Sequence, residues 1–308
     1  NTFQTNNLTV APNGSEKIGG IAQNAILNTE GQSVTFVYVD GTEGWKNVQD
    51  STSNVTGSPF LQATGGTITT CGNCKIHTFT GPGTFCVSSI STNCAAENTV
   101  SHLVIAGGGG GVAQGGAGGA GGFREVKSPL TPYTASPLDG YPSAPNRITV
   151  TAAAFPITVG AGGGAGPETN GSNSVFSTIT SAGGGSTQGG GPQNGSTGGS
   201  GGGGSGSVPG SPTGSGGAGN TPPVSPPQGN SGGDAGSSLL SGGGGGAGGS
   251  GTNVSGPTGG PGGNGVATSI TGSSVTRGGG GGGGFWNGVN GPGGAGGPGG
   301  GGSAISPY

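Results

Sequence analysis

Seven consecutive glycines at 278–284, and runs of five at 107–111 and 242–246, exclude most of the ways a chain can fold. Glycine loses the most backbone entropy on ordering and has no side chain with which to fill a core. The runs are confined to one part of the sequence: 12 of the 85 glycines lie in residues 1–106 and the other 73 in 107–308. Two physical regimes are therefore expected along 308 residues. Only 27% of the residues are hydrophobic, too few for the two conventional cores that this length suggests.

Three states compete for the glycine tracts. A flexible linker leaves the entropy unspent. Collagen requires a strict G-X-Y period, which the uninterrupted runs lack. The third state is a packed set of extended three-fold helices, each turning once every three residues with no internal hydrogen bond. Without side chains such helices approach until they bond to one another, and their buried N–H and C=O groups find partners there. Seven residues at about 3.1 Å each would span about 22 Å. The tracts alternate with turn-forming clusters such as Pro192-Gln193-Asn194-Gly195 and Thr221-Pro222-Pro223-Val224. Charged residues, which solvate disordered chains, are scarce: only Asp234 and Arg277 follow Glu168. The packed state, a polyglycine II bundle, is the expectation.

The remainder reads as β-structure, with essentially no α-helix. Val34, Phe36 and Tyr38 alternate with Thr35, Val37 and Val39 before a turn at 41–44. Another strand begins at Leu8 and Val10 and stops at Pro12-Asn13-Gly14. Strands are expected at 75–80, 84–88 and 99–106, and again at 147–151, 156–159 and 174–180, where β-branched residues gather. The expected division is a small β-module at 1–66, a second at 67–106 with the four cysteines, and a glycine region at 107–308 with a β segment inserted at 147–182. A module as small as the first gains from oligomerisation.

Several motifs occur in a recognisable order. His77-Thr78-Phe79-Thr80-Gly81-Pro82-Gly83-Thr84-Phe85 leads to Ser101-His102-Leu103-Val104-Ile105-Ala106 and then five glycines. Ile157-Thr158-Val159-Gly160-Ala161-Gly162-Gly163 and Gly171-Ser172-Asn173-Ser174-Val175-Phe176 follow. Over residues 75–308 this resembles glycine-rich bacteriophage structural proteins, and the stretch from Leu8 to Trp45 looks like short β-repeats of phage fibres. The resemblance implies a virion appendage such as a tail fibre or adhesin, polyglycine II tracts, and a homotrimer. The four cysteines and the proline-rich insertion at 128–146 depart from the family pattern.

Little in the chain specifies chemistry. Seven Lys and Arg residues do not suffice to displace the counterions of a nucleic acid, and no run of about 18 apolar residues exists to span a bilayer. Glycine signatures such as G-x-S-x-G arise by chance here and lack a strand-to-helix context. His77 and His102 fall in expected strands and read as structural. Asp40, Glu43 and Asp50 near Trp45 read as a solvated turn. Cys71, Cys74, Cys86 and Cys94 admit two disulfides, free thiols or a four-thiolate zinc site; the spacing leans to Cys71–Cys74 and Cys86–Cys94. No catalytic residue, resident metal or cofactor is expected.

Recognition is expected on connecting segments, since loops on a rigid scaffold are its usual place. The candidates are Tyr133, Asp139 and Tyr141 in 128–146, Pro222 and Pro223 in 221–230, and Trp286 beside Phe285. A ring pair among glycines also has a simpler use, packing against the glycine surface. The resulting expectation is a non-enzymatic fibre or adhesin segment on a virion. It would associate with itself, with other virion proteins, and with a host-surface glycan or outer-membrane protein. A capsid-surface fibre with a purely structural role, and an extracellular matrix or ice-binding protein, are the alternatives.

Overall fold

Alternation and turn chemistry account for the strands. The computed structural model describes residues 6–29, 32–50, 60–91, 94–112, 115–164, 166, 168–187, 191–236, 239–285 and 292–304. Its regular structure is β1 (Leu8–Val10), β2 (Ala25–Leu27), β3 (Val34–Asp40), β4 (Gly44–Asp50), β5 (Gln62–Thr64), β6 (Thr67–Cys71), β7 (Cys74–Thr78), β8 (Gly83–Ser89), β9 (Thr99–Val100), β10 (His102–Ile105), β11 (Phe123–Val126), β12 (Ile148–Thr149), β13 (Ala154–Thr158), β14 (Ser174–Phe176), β15 (Ile179–Ser181), β16 (Val266–Thr268) and β17 (Val275–Arg277). The fold is all-β, with two 3-10 turns and no α-helix among the described residues. Among the described residues no helix is long and apolar enough to cross a membrane.

The chain divides into two compact units, Asn1–Phe60 with Ser91–Asn93, and Leu61–Ile90 with Cys94–Tyr308. The first contains two antiparallel hairpins, β1 with β2 and β3 with β4. Tyr38 faces Trp45 across the second, ring centroids 5.4 Å apart, and the Trp45 indole donates to Glu16 Oε2 at 2.9 Å. The turn at 41–44 is closed by Asp40, whose Oδ1 accepts the N–H groups of Thr42 and Glu43 at 2.8 and 2.7 Å. Those donors, Glu43 first, hold its carboxyl below the ordinary value. Gly44 has φ +69°, and a Cβ there would lie 2.0 Å from the Lys17 carbonyl oxygen. Leu27 is the one large apolar side chain of this unit buried among its described residues; Leu8, Ile21, Ile26, Val37, Val39 and Val48 are exposed.

In the second unit one antiparallel sheet runs β15-β14-β13-β8-β5. Phe85 and Val87 of β8 are buried while Thr84, Cys86 and Ser88 point to solvent. Phe85, Val87, Val104, Ile148, Val150, Phe176 and Ile179 form its core. Phe85 meets Phe176 edge-to-face at 6.0 Å, a geometry that adds about 0.5–1.5 kcal/mol beyond burial. This sheet corrects the expected module boundary at 106. Its strands come from both 62–89 and 154–181, because β8 needs a partner on each side and β13 supplies one across the intervening glycines. The strand expected over 174–180 is two, turned at Ser177, which has φ 52°.

The glycine tracts bond to one another. β10 pairs with β11, and the pairing continues outward as Ala106 N–H to Gly122 and Gly109 N–H to Gly119, now at every third residue. The segment 241–247 is buried throughout. Its N–H groups at 241, 244 and 247 donate to the carbonyls of 284, 281 and 278. Those at 242 and 245 donate to 204 and 201, and those at 243 and 246 to 252 and 249. Its carbonyls accept in the same rhythm: 242 and 245 from Ala117 and Ala120, 243 and 246 from Gly233 and Asn230, 241 and 244 from Gly260 and Gly263. Six segments thus surround it, and its direction of bonding repeats every three residues. A strand would repeat at two, and an α-helix would bond within itself.

The same period governs where side chains are allowed. In Thr258-Gly259-Gly260-Pro261-Gly262-Gly263-Asn264, Pro261 and Asn264 are exposed and the glycines between them buried. In Pro292-Gly293-Gly294-Ala295-Gly296-Gly297-Pro298, residues 292, 295 and 298 are exposed while Gly294 and Gly297 are buried. At the rim, side-chain oxygens replace backbone acceptors. Asn170, Asn173, Asn194, Asp234 and Asn253 accept the N–H groups of Ser186, Gly183, Ser215, Gly216 and Asp234 at 2.8–2.9 Å. These caps occupy rim donors that would otherwise be free to recruit another strand.

Candidate functional site

β11 delivers the chain from the glycine array into the segment 127–147, and the sequence there folds by fastening its polar groups to backbone. Glu125, in mid-strand and 2% exposed, is the anchor. Its Oε2 accepts the Ser136 N–H at 2.8 Å, its Oε1 accepts the Thr268 hydroxyl, and its backbone carbonyl accepts the Gly140 N–H. Asp139 Oδ1 accepts the N–H groups of Lys127 and Tyr141 at 2.9 and 3.0 Å. Tyr133 is half-buried, with its hydroxyl 3.4 Å from the Val126 carbonyl and Lys127 Nζ over its ring. Burial foremost, and then the Glu125 charge, push its phenol well above the ordinary value. Tyr141 is half-buried too, with the Arg147 guanidinium 4.3 Å from its ring centroid and Arg147 Nε donating to its carbonyl.

Two further segments meet this one. Asn146, 6% exposed, donates through Nδ2 to Gly140 and to Ser225, and its Oδ1 accepts from Arg124. Around Ser225 the chain is organised by Asn220, which accepts from Val224 and Gln228, and by Gln228, which donates to the Pro222 carbonyl. Gln228 is 1% exposed and also accepts the Ala182 N–H. Pro222 and Pro223 are exposed above it. On the other side Ser269, just beyond β16, exchanges bonds with both backbone groups of Thr134. Segments 128–146, 221–228 and 269–272 therefore form one surface.

Of the residues expected to contact a receptor, Tyr133, Asp139 and Tyr141 serve mainly to hold their own segment, while Pro222 and Pro223 face solvent. Phe285 is 3% exposed and bridges to Leu240, the packing alternative; Trp286 lies outside the described residues. Sequence reasoning missed Glu125, Asn146, Gln228 and Ser269. The available signal was a carboxylate set between the apolar Phe123 and Val126. The dip lined by His102, Phe123, Leu138, Gly140, Asn146 and Pro226 encloses no volume for a small molecule.

His102 sits beneath this surface, 6% exposed, and its Nδ1 finds no hydrogen-bond partner among the described residues. Burial pushes its pKa down to about 4 from an ordinary 6.5. The unfolded chain therefore takes up this proton first as the pH falls. Its contribution to stability is complete above pH 6.5 and is lost toward pH 4, about 3 kcal/mol across that window. His102→Gln is expected to flatten the pH dependence of the denaturation midpoint between pH 4 and 6.5; an unchanged slope would place the acid sensitivity elsewhere.

No two of the four cysteines are bonded to each other in this structure. Cys71 and Cys74 face each other across the β6–β7 ladder. Cys86 lies between Thr64 and Ala154, and Cys94 precedes the 3-10 turn Ala95–Asn98. The structure does not bring them together as a four-thiolate set, and among the described residues no group of three or more His, Cys, Asp or Glu side chains could hold a metal ion.

No curated protein and no solved structure matches the chain. The family model of the glycine-rich domain matches residues 78–308, about three quarters of the sequence. That span starts within β7 and takes in most of the five-stranded sheet, the glycine array and the three joined segments, so the chain belongs to the glycine-rich domain family.

Proposed function

We propose that the chain is a non-enzymatic structural component of a bacteriophage virion, a tail-fibre or adhesin segment that presents segments 128–146 and 221–228 to the host surface. The observation that carries this reading is the joining of those segments on a scaffold whose interior is backbone. Glu125, Asn146 and Gln228 fix them at small entropic cost on binding, and they leave Pro222, Pro223 and Leu130 exposed. The ordered motifs from His77 to Phe176 resemble phage structural proteins and support the virion location. Three-residue periodicity of donation supports polyglycine II geometry for the glycine segments. A homotrimer is supported by the apolar residues that the first unit leaves exposed, since two-stranded hairpins are marginal alone; a solution mass of one chain would argue against it.

The test is competition. Purified chain is expected to block adsorption of the parent particle to its host, and replacement of 128–146 by a short glycine-serine linker is expected to abolish the block. Undiminished competition by the replaced chain, with its β-structure intact, would remove these segments from recognition. Failure of the intact chain to compete would favour a purely structural fibre.

A further inference from the structure

The β6–β7 hairpin places two thiols, Cys71 and Cys74, directly opposite each other across a two-residue turn. The turn is opened by Gly72 at φ 57°, the left-handed conformation that a tight hairpin of this length uses. Opposed residues of an antiparallel ladder lie about 4.5–5.5 Å apart at Cα, inside the range of about 4.4–6.8 Å that disulfides span. Opposed side chains also share one face of the hairpin. Cys71 is exposed and Cys74 half-buried. Cys86, by contrast, has Thr64 and Ala154 as its cross-strand neighbours.

We propose that Cys71 and Cys74 are a redox-responsive pair that closes to an intrachain disulfide by exchange with a small disulfide such as glutathione disulfide. The Cys71 thiolate, as the accessible sulfur, attacks glutathione disulfide. A mixed disulfide forms at Cys71 and one glutathione leaves as its thiolate. The Cys74 thiolate then attacks the Cys71 sulfur, forming the Cys71–Cys74 bond and expelling the second glutathione thiolate. Two protein thiols are oxidised and one glutathione disulfide is reduced to two glutathiones, the two protons going to solvent or to the departing thiolates.

The small ring makes this pair responsive rather than a fixed staple. Disulfide stabilisation grows with the length of chain enclosed, so a closure over Gly72 and Asn73 alone restricts little of the unfolded ensemble. Exposed disulfides are the readily reduced ones. Closure also has a structural target. The Cys71 Sγ lies 3.5 Å from where a Cβ on Gly272 would sit, in the turn between β16 and β17 that carries Ser269. The turn that fastens Thr134 thus lies beside the sulfur that closure draws toward Cys74.

The experiment equilibrates the full chain in glutathione buffers of graded oxidised-to-reduced ratio, blocks free thiols, and maps peptides by mass without reduction. The expected result is reversible loss of two hydrogens from the peptide carrying Cys71 and Cys74 as the ratio rises. Cys86 and Cys94 should not cross-link to that peptide. Cys74→Ser should stop the reaction at a glutathione adduct on Cys71. The double variant Cys86→Ser, Cys94→Ser should leave the exchange unchanged, which keeps the test valid if Cys74→Ser fails to fold. Linkage of Cys71 or Cys74 to Cys86 or Cys94, or persistence of both as thiols in fully oxidised glutathione, would overturn the proposal.

Discussion

Gly244→Ala is expected to abolish the folded glycine array. A Cβ at this position would lie 2.1 Å from the Gly118 carbonyl oxygen and 2.6 Å from its carbon, against ordinary contact beginning at 3.4 Å. The obstacle is backbone, so no rotamer change relieves it. Segment 115–122 would have to withdraw by more than an ångström, and Ala117 and Ala120 would lose their bonds to Gly242 and Gly245. Inserting a methyl into an ordinary core costs about 1–3 kcal/mol, and each buried polar group left unpaired adds about 1–3 kcal/mol. The loss is on the order of 5 kcal/mol or more, comparable with the whole stability of a typical domain. Gly108→Ala is the control. Its Cβ would meet nothing closer than 3.5 Å, and its φ is outside the left-handed region. Stability there should change by about 1 kcal/mol or less, in either direction, since alanine also restricts the unfolded chain. Denaturant midpoints of the two variants decide the matter: equal destabilisation would mean that packing of backbone on backbone is not what holds the array.

The second large effect is at Glu125. Glu125→Ala leaves the Ser136 N–H in the interior without its acceptor and the Thr268 hydroxyl with only the Thr134 carbonyl, 3.5 Å away. Together these losses amount to about 2–4 kcal/mol. Glu125→Gln keeps the shape and one acceptor oxygen, and the Thr268 hydroxyl can turn to accept from the new amide. It should cost about 1 kcal/mol. The distinguishing measurement is local. Amide exchange should accelerate at Gly140 and across 128–146 in the alanine variant, while the five-stranded sheet keeps its protection. Uniform acceleration throughout the unit would show that Glu125 supports the whole core rather than these segments.

These two sites differ in how far the sequence announced them. The strands at 8–10, 34–40 and 83–89 follow from alternation and turn residues, which act within a few positions. The three-residue rhythm was also present in plain letters, in the G-G-X order of 258–264 and 292–298. It was obscured at 242–246, where every position is buried and no third position is free for a side chain, so that only glycine shows. Glu125 gave no such signal. Its donors, Ser136 and Thr268, are 11 and 143 residues away, and only the packed structure brings the second one near. The module boundary failed for a similar reason: β8 and β13 are adjacent in the sheet, and the strand pairing depends on the whole intervening chain having folded back.

The burial of 241–247 has a thermal consequence. What this segment removes from water is amide rather than hydrocarbon, since Ala247 carries its one apolar side chain. Exposing apolar surface raises the heat capacity of unfolding, whereas exposing polar surface lowers it. An interior of this kind therefore unfolds with a smaller heat-capacity increment than the roughly 12–15 cal/mol/K per residue of ordinary domains. Its stability curve is correspondingly broad and shallow. The enthalpy that holds the glycine segments together then changes little between cold and warm water, where a hydrocarbon core weakens on cooling.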